Sequence, residues 1–162
     1  LGVMTDTSRY SEKDFPNSKE DFIDFIRIAC HPDRIRETLG ISKDLYDKGY
    51  KVFIQLMEIN NVDEAGYLSL FEWEHKEILE SLYFADSYGV LHPSEIEHYY
   101  NKLAMIGFEK ISFHAHNTIA MALPNSLKAI ECGVWSVDVT QNGIGRNGGN
   151  LDSAELFEHF VH

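Results

Sequence analysis

The stretch that most limits what this chain can become runs over residues 110–150, KISFHAHNTIAMALPNSLKAIECGVWSVDVTQNGIGRNGGN. Its opening, 110–116, alternates as a strand does. Ile111, Phe113 and Ala115 share one face, while Ser112, His114 and His116 share the other. A helical pattern follows at 124–131, stopped by Cys132-Gly133 with glycine where a helix end favours it. A second strand pattern covers 134–140 and runs into a glycine-rich turn. Strand, helix, strand is the unit of a parallel sheet, and chemistry-bearing residues at the C-terminal ends of strands point to a (β/α) barrel. Same-face strand neighbours lie about 6.5–7 Å apart at Cα, so two tilted imidazoles can share one metal ion. The plainer alternative is a pair of histidines satisfied by hydrogen bonds in a polar pocket.

The rest of the chain repeats the same unit. Residues 1–5 read as a short strand, and 6–20 as a polar loop with at most a short helix. Residues 22–30, FIDFIRIAC, read as a buried strand in which Arg27 stands alone. Arg27 is read as a salt bridge, at a strand end or to an interior acid, in preference to a cation reaching for an anionic substrate. His31-Pro32-Asp33 opens a helix that Gly49 stops, with Gly40 weakening its middle. A strand is expected at 51–59, where Gln55 is the odd polar member. A loop at 60–66, a helix at 67–80 on Leu68, Phe71, Ile78 and Leu79, and a strand at 81–89 ending in Asp86-Ser87-Tyr88-Gly89 come next. Trp73 is expected in the core. Helices at 93–105 and 153–160 complete the pattern, giving six strand candidates.

Composition narrows the classes. With 162 residues and 44% hydrophobic content the chain can bury a real core. A formal net charge of −12 argues against nucleic acid and against an anionic membrane surface, since both need a basic face. No apolar run reaches membrane-spanning length and no signal peptide opens the chain, so a cytoplasmic setting is expected. The two cysteines, Cys30 and Cys132, read as buried reduced thiols. A complete barrel needs about 250 residues, so a partial barrel is expected.

The matching residues make a resemblance specific: Phe113-His114-Ala115-His116-Asn117, Asn125-Ser126-Leu127, Ala129-Ile130, Gly133, Asp138, and Gly143-Ile144-Gly145 through Gly149-Asn150. In these the chain resembles the C-terminal part of the catalytic barrel of the HMG-CoA-lyase-like family. These metal-dependent TIM-barrel lyases and acyl transferases include 4-hydroxy-2-oxovalerate aldolase and 2-isopropylmalate synthase. The resemblance implies an incomplete TIM (β/α)8 barrel over residues 1–162, covering roughly strands three to eight. The first two strands would be missing, and with them an Arg-Asp pair that supplies an acid ligand and a catalytic arginine. It implies a divalent ion, Mn²⁺ or Mg²⁺ with Zn²⁺ admissible, held by His114, His116 and Asn150. Asp86, Ser87, Gly143 and Gly145 are the implied substrate-binding residues, Ser87 matching a serine near the bound 2-oxo acid.

Two departures narrow the branch. Residues 143–150 hold no cysteine, unlike HMG-CoA lyase, and Thr118 and Arg146 stand where the synthases usually carry acids. The aldolase branch therefore fits best, implying cleavage of a short 4-hydroxy-2-oxo acid to pyruvate and an aldehyde. The alternatives are an acyl-CoA-dependent synthase of the isopropylmalate type and a truncated, non-catalytic barrel. The implied partners are a small 2-oxo acid, a second copy of the chain, and a dehydrogenase in the full-length protein.

Overall fold

A computed structural model describes residues 1–20 and 22–161. Six strands, β1 (Gly2–Asp6), β2 (Phe25–Cys30), β3 (Lys51–Leu56), β4 (Leu79–Asp86), β5 (Ile111–Ala115) and β6 (Ser136–Val137), form one sheet in sequence order. Every pairing is parallel. Between and after them lie α1 (Ile35–Asp47), α2 (Glu64–Glu72), α3 (Pro93–Ile106), α4 (Ala122–Cys132) and α5 (Ser153–Val161). This is a partial α/β barrel, as the strand–helix alternation implies. None of the described helices is long and apolar enough to cross a membrane.

Strand alternation divides the sheet into two unlike faces. Ile26, Ile28, Val52, Ile54, Leu82, Phe84, Ile111 and Phe113 are buried beneath the helices, each contributing about 1.5–3 kcal/mol relative to exposure. The opposite face, the barrel interior, carries Arg27, Gln55, Ser81, Tyr83, Ser112 and His114. Register explains the grouping: Gln55 pairs with Tyr83, Tyr83 with Ser112, and Ala85 with His114. The parity expected for residues 110–116 is therefore the one observed, with Phe113 under the helices and His114 inside.

Local signals set most helix ends. α3 begins with Pro93 in its first turn and a reciprocal cap between His92 and Glu95, and ends on Gly107 in the left-handed region. α4 ends on Gly133 in the same conformation. Residues 6–20 form only two short 3₁₀ turns, at Glu12–Asp14 and Ser18–Glu20. Phe15 pins this loop to the core, stacked on Tyr10 and edge-on to Tyr50.

Several expected boundaries move. The helix placed at 67–80 is α2, Glu64–Glu72, because Asp63 caps it by accepting from the Gly66 N–H at 2.8 Å. Lys76 Nζ bonds the Phe71 carbonyl at 2.8 Å and also that of Trp73, closing the helix end. Leu79 belongs to β4. With the helix this short, Tyr67 and Leu70 set its buried side, and Leu68 and Phe71 face solvent. Trp73 packs against the core as expected. The strand placed at 22–30 starts at Phe25, in register with Gly2, leaving Phe22 91% exposed. The strand placed at 134–140 keeps only Ser136–Val137. It has a single neighbouring strand, although Trp135 and Asp138 still donate to the Ile111 and Phe113 carbonyls. Cys30 is buried, and burial pushes its thiol up to about 12. Cys132 is free and only partly buried.

Candidate metal centre

The C-terminal ends of the strands converge on one cleft of about 440 Å³. Asp6 reaches it from β1, His31 from beyond β2, Glu58 from beyond β3, Ser87 from beyond β4, His116 from beyond β5, and Arg146 from the glycine-rich turn. A parallel barrel places its chemistry at this end because the loops there vary without disturbing the strands that carry them.

His114 and His116 stand side by side in this end of the barrel, ring centroids 5.0 Å apart and planes at 81°. Each Nδ1 has an acceptor. His114 Nδ1 lies 2.9 Å from Asp138 Oδ2, and His116 Nδ1 lies 3.0 Å from the Arg146 carbonyl oxygen. A metal-binding histidine commonly donates its second ring N–H to a carboxylate or a backbone carbonyl. A carbonyl oxygen only accepts, so His116 Nδ1 donates and the Nε2 of the neutral ring is left as a lone pair.

Asn150 lies directly across from His116 in an isolated antiparallel bridge. Its Nδ2 donates to the Ile144 carbonyl at 3.1 Å, while its Oδ1 is buried with no hydrogen-bond partner. A buried acceptor without a donor is costly unless a cation or water meets it. Two neighbouring imidazoles and an orphaned amide oxygen are donor types suited to Mn²⁺, Mg²⁺ or Zn²⁺, so the chemistry of the residues present fits a divalent ion. Among the described residues no three His, Cys, Asp or Glu side chains are placed to hold one ion.

The electrostatics agree with this arrangement. Burial lowers the His116 imidazole below its ordinary value, and the hydrogen bond to Arg146 only partly opposes it. Burial therefore favours the neutral ring, the form in which an imidazole binds a metal ion. Burial pushes the Asp138 carboxyl up. Hydrogen bonds from His114 and Arg27, with the Arg27 charge, outweigh that effect and hold it below the usual carboxylate range.

The turn is folded around Asn150. A Cβ on Gly145 would stand 2.5 Å from Asn150 Cγ, and one on Gly149 would stand 2.5 Å from the Gly143 carbonyl oxygen. Gly143 accepts the Asn150 N–H at 2.9 Å. Gly143 and Gly145 thus make room for the asparagine.

Asp86 is 1% exposed, and its carboxylate oxygens accept from the Val90 and Leu91 amides at 3.1 Å each. The geometry gives it the loop after β4 to hold. Burial raises its carboxyl, against those amide bonds. Ser87 does line the cleft; its Oγ accepts from the Glu58 N–H at 2.8 Å, and its carbonyl accepts from Asn147 Nδ2 at 2.6 Å. Glu58 and Asn147, which tie the β3 and β6 loops to Ser87, escaped the sequence reading. The signal for Glu58 was its place just past a strand's C-terminal end.

A parallel strand–helix sheet with an imidazole pair at the strands' C-terminal ends defines a segment of a (β/α)8-type barrel. The profile of the HMGL-like family matches residues 45–161, and the chain belongs to that family. It is 28% identical over 131 residues to an oxaloacetate decarboxylase from Mycobacterium tuberculosis, covering 80% of this chain and 39% of that protein. It is 30% identical over 138 residues to a 4-hydroxy-2-oxovalerate aldolase from Pelotomaculum thermopropionicum, covering 80% and 38%. A probable 2-isopropylmalate synthase from Methanosarcina acetivorans is 32% identical over 109 residues, covering 67% and 21%. The chain spans less than half the length of these relatives. Among solved structures, the N-terminal domain of a putative aldolase from Bacteroides vulgatus superposes with a TM-score of 0.84 at 23% identity, over 99% of this chain and 55% of that one. The HMG-CoA lyase of Bacillus subtilis gives 0.77 at 16%, over 99% and 61%. Both share the fold.

Proposed function

We propose that the protein carrying this chain is a divalent-metal-dependent carbon–carbon lyase that splits a short 4-hydroxy-2-oxo acid into pyruvate and an aldehyde. The observation that carries the reading is the paired imidazoles, each anchored through Nδ1, beside the partnerless Oδ1 of Asn150. The family membership and the aldolase among the relatives support it.

His114, His116 and Asn150 would hold the ion. When bound, a divalent ion supplies Lewis acidity, polarising the oxygens of a 2-oxo acid and stabilising the charge that develops as a carbon–carbon bond breaks. The chain's own residues do the positioning. The Gly89–Asp86 turn presents Ser87 to the cleft, and Asn147 ties the glycine-rich turn to the Ser87 backbone so that both walls stay in register. Arg146 lines the same cleft with its carbonyl on His116, and its guanidinium would be the cation to meet an anionic substrate.

The test is a product assay on the complete protein with a panel of 4-hydroxy-2-oxo acids, with and without Mn²⁺. Metal-dependent release of pyruvate is expected. No pyruvate, but condensation of an acyl-CoA with a 2-oxo acid, would replace this reading by the synthase one. Neither activity would leave a non-catalytic barrel.

A further inference from the structure

We infer that Asp138, clamped by Arg27, is a positioning residue that locks His114 in the tautomer leaving Nε2 bare, so that this imidazole is preset as a donor. The purpose of the lock rests on the metal reading above, while its geometry stands on separate contacts.

The argument begins with donors and acceptors. Arg27 Nη2 lies 3.1 Å from Asp138 Oδ1, and Arg27 Nη1 meets Oδ2 in a second, short contact. A guanidinium has only donors and stays protonated in a protein. Both oxygens of Asp138 therefore accept from the guanidinium, and a carboxyl forked on a guanidinium through both oxygens is the carboxylate, an acceptor only. Oδ2 is also the atom 2.9 Å from His114 Nδ1. The hydrogen in that contact belongs to the ring, Nδ1 is the donor, and Nε2 is left as the lone pair.

Arg27 is itself fixed from several strands. It lies over the Tyr83 ring, 3.9 Å from the centroid, and its Nη1 is 3.3 Å from Gln55 Oε1. Tyr83 is tied through its hydroxyl to Ser136 at 2.8 Å, and Ser136 to Ser112 at 2.9 Å. His114 is thus oriented by the barrel interior, whereas His116 is oriented by the Arg146 carbonyl of the turn. The two imidazoles answer to different parts of the fold, and a change at Asp138 should reach only one of them.

The experiment is nitrogen NMR on the intact, metal-free protein labelled at histidine, at a pH where both rings are neutral, together with Mn²⁺ titration by calorimetry. The wild type should show His114 as the Nδ1–H form. Asp138→Asn must turn an amide N–H against the guanidinium or the ring. It should shift His114 toward the Nε2–H form, leave His116 unchanged, and weaken Mn²⁺ binding 10–100-fold. Arg27→Lys keeps the charge without the fork and should weaken it less. An Nε2–H ring in the wild type overturns the inference, as does an Asp138→Asn protein with unchanged tautomer and affinity. If Asp138→Asn does not fold, the wild-type tautomer decides alone. A wild type in the Nδ1–H form that takes up no Mn²⁺ overturns the metal reading and leaves the lock standing.

Discussion

Arg27 and Asp138 stand 111 positions apart in sequence, yet their guanidinium and carboxylate meet at two points in the barrel interior. The contact spans from β2 to the segment just past β6, and the same carboxylate meets His114. Of the two salt bridges expected for Arg27, at a strand end or to an interior acid, the structure shows the second, and the acid is the one that also holds His114.

Replacing both His114 and His116 by alanine should reduce divalent-metal affinity by more than about 100-fold, since even groups that only orient a ligand are worth 10–100-fold. Calorimetry on the variant and the wild type checks this. Equal binding by the two proteins would remove the imidazole pair from the site.

Gly145→Ala should act on Asn150. The new methyl would overlap Asn150 Cγ at 2.5 Å, and such overpacking costs about 1–3 kcal/mol. A urea melt should show the lost stability, and metal affinity should fall with it as Oδ1 is displaced. Unchanged stability and affinity would mean that the turn relaxes around the extra carbon.

Stability should fall in acid by a route that His116 opens. Its folded imidazole is lowered from the ordinary value of 6.5, mainly by burial. The unfolded chain therefore takes a proton first, and the contribution present above pH 6.5 is lost as pH falls through the window between 6.5 and the folded value. Asp138, also lowered, extends the loss in the same direction below its ordinary 3.8. Urea melts on either side of pH 6.5 should show the first drop in the wild type and a flatter profile in His116→Asn.

Gly40→Ala should stabilise the protein by about 0.5–1 kcal/mol. Gly40 lies inside α1, exposed, and an added Cβ meets nothing within 4 Å. A thermal melt that moves down instead would show that this face of α1 is covered in the working protein.

The 162-residue chain by itself should self-associate. Among the described residues β1 pairs only with β2, and β6 only with β5. Unpaired strand edges invite pairing with another copy. The Gly2–Asp6 edge is the stronger candidate, because β6 is two residues long. Light scattering that finds a stable monomer at high concentration would count against this account.

What the sequence determined by itself is everything that depends on local periodicity and local backbone chemistry. Alternation along 110–116 put Phe113 beneath the helices and His114 inside, and glycine after Cys132 ended α4, because a strand's two-residue period and the left-handed C-cap need no distant partner. The histidine pair and the glycine-rich turn were legible for the same reason. What only the tertiary structure decided is which distant groups meet. Asp138 became the partner of both Arg27 and His114 through sheet register. Residues 134–140 shrank to a two-residue strand at the sheet's end, and α2 took its buried side from Tyr67 and Leu70 once Asp63 fixed its start. Asn150 was in the sequence as a candidate ligand. That its Oδ1 is buried without a partner, in space Gly145 leaves open, follows from close packing of chain segments that no local pattern records.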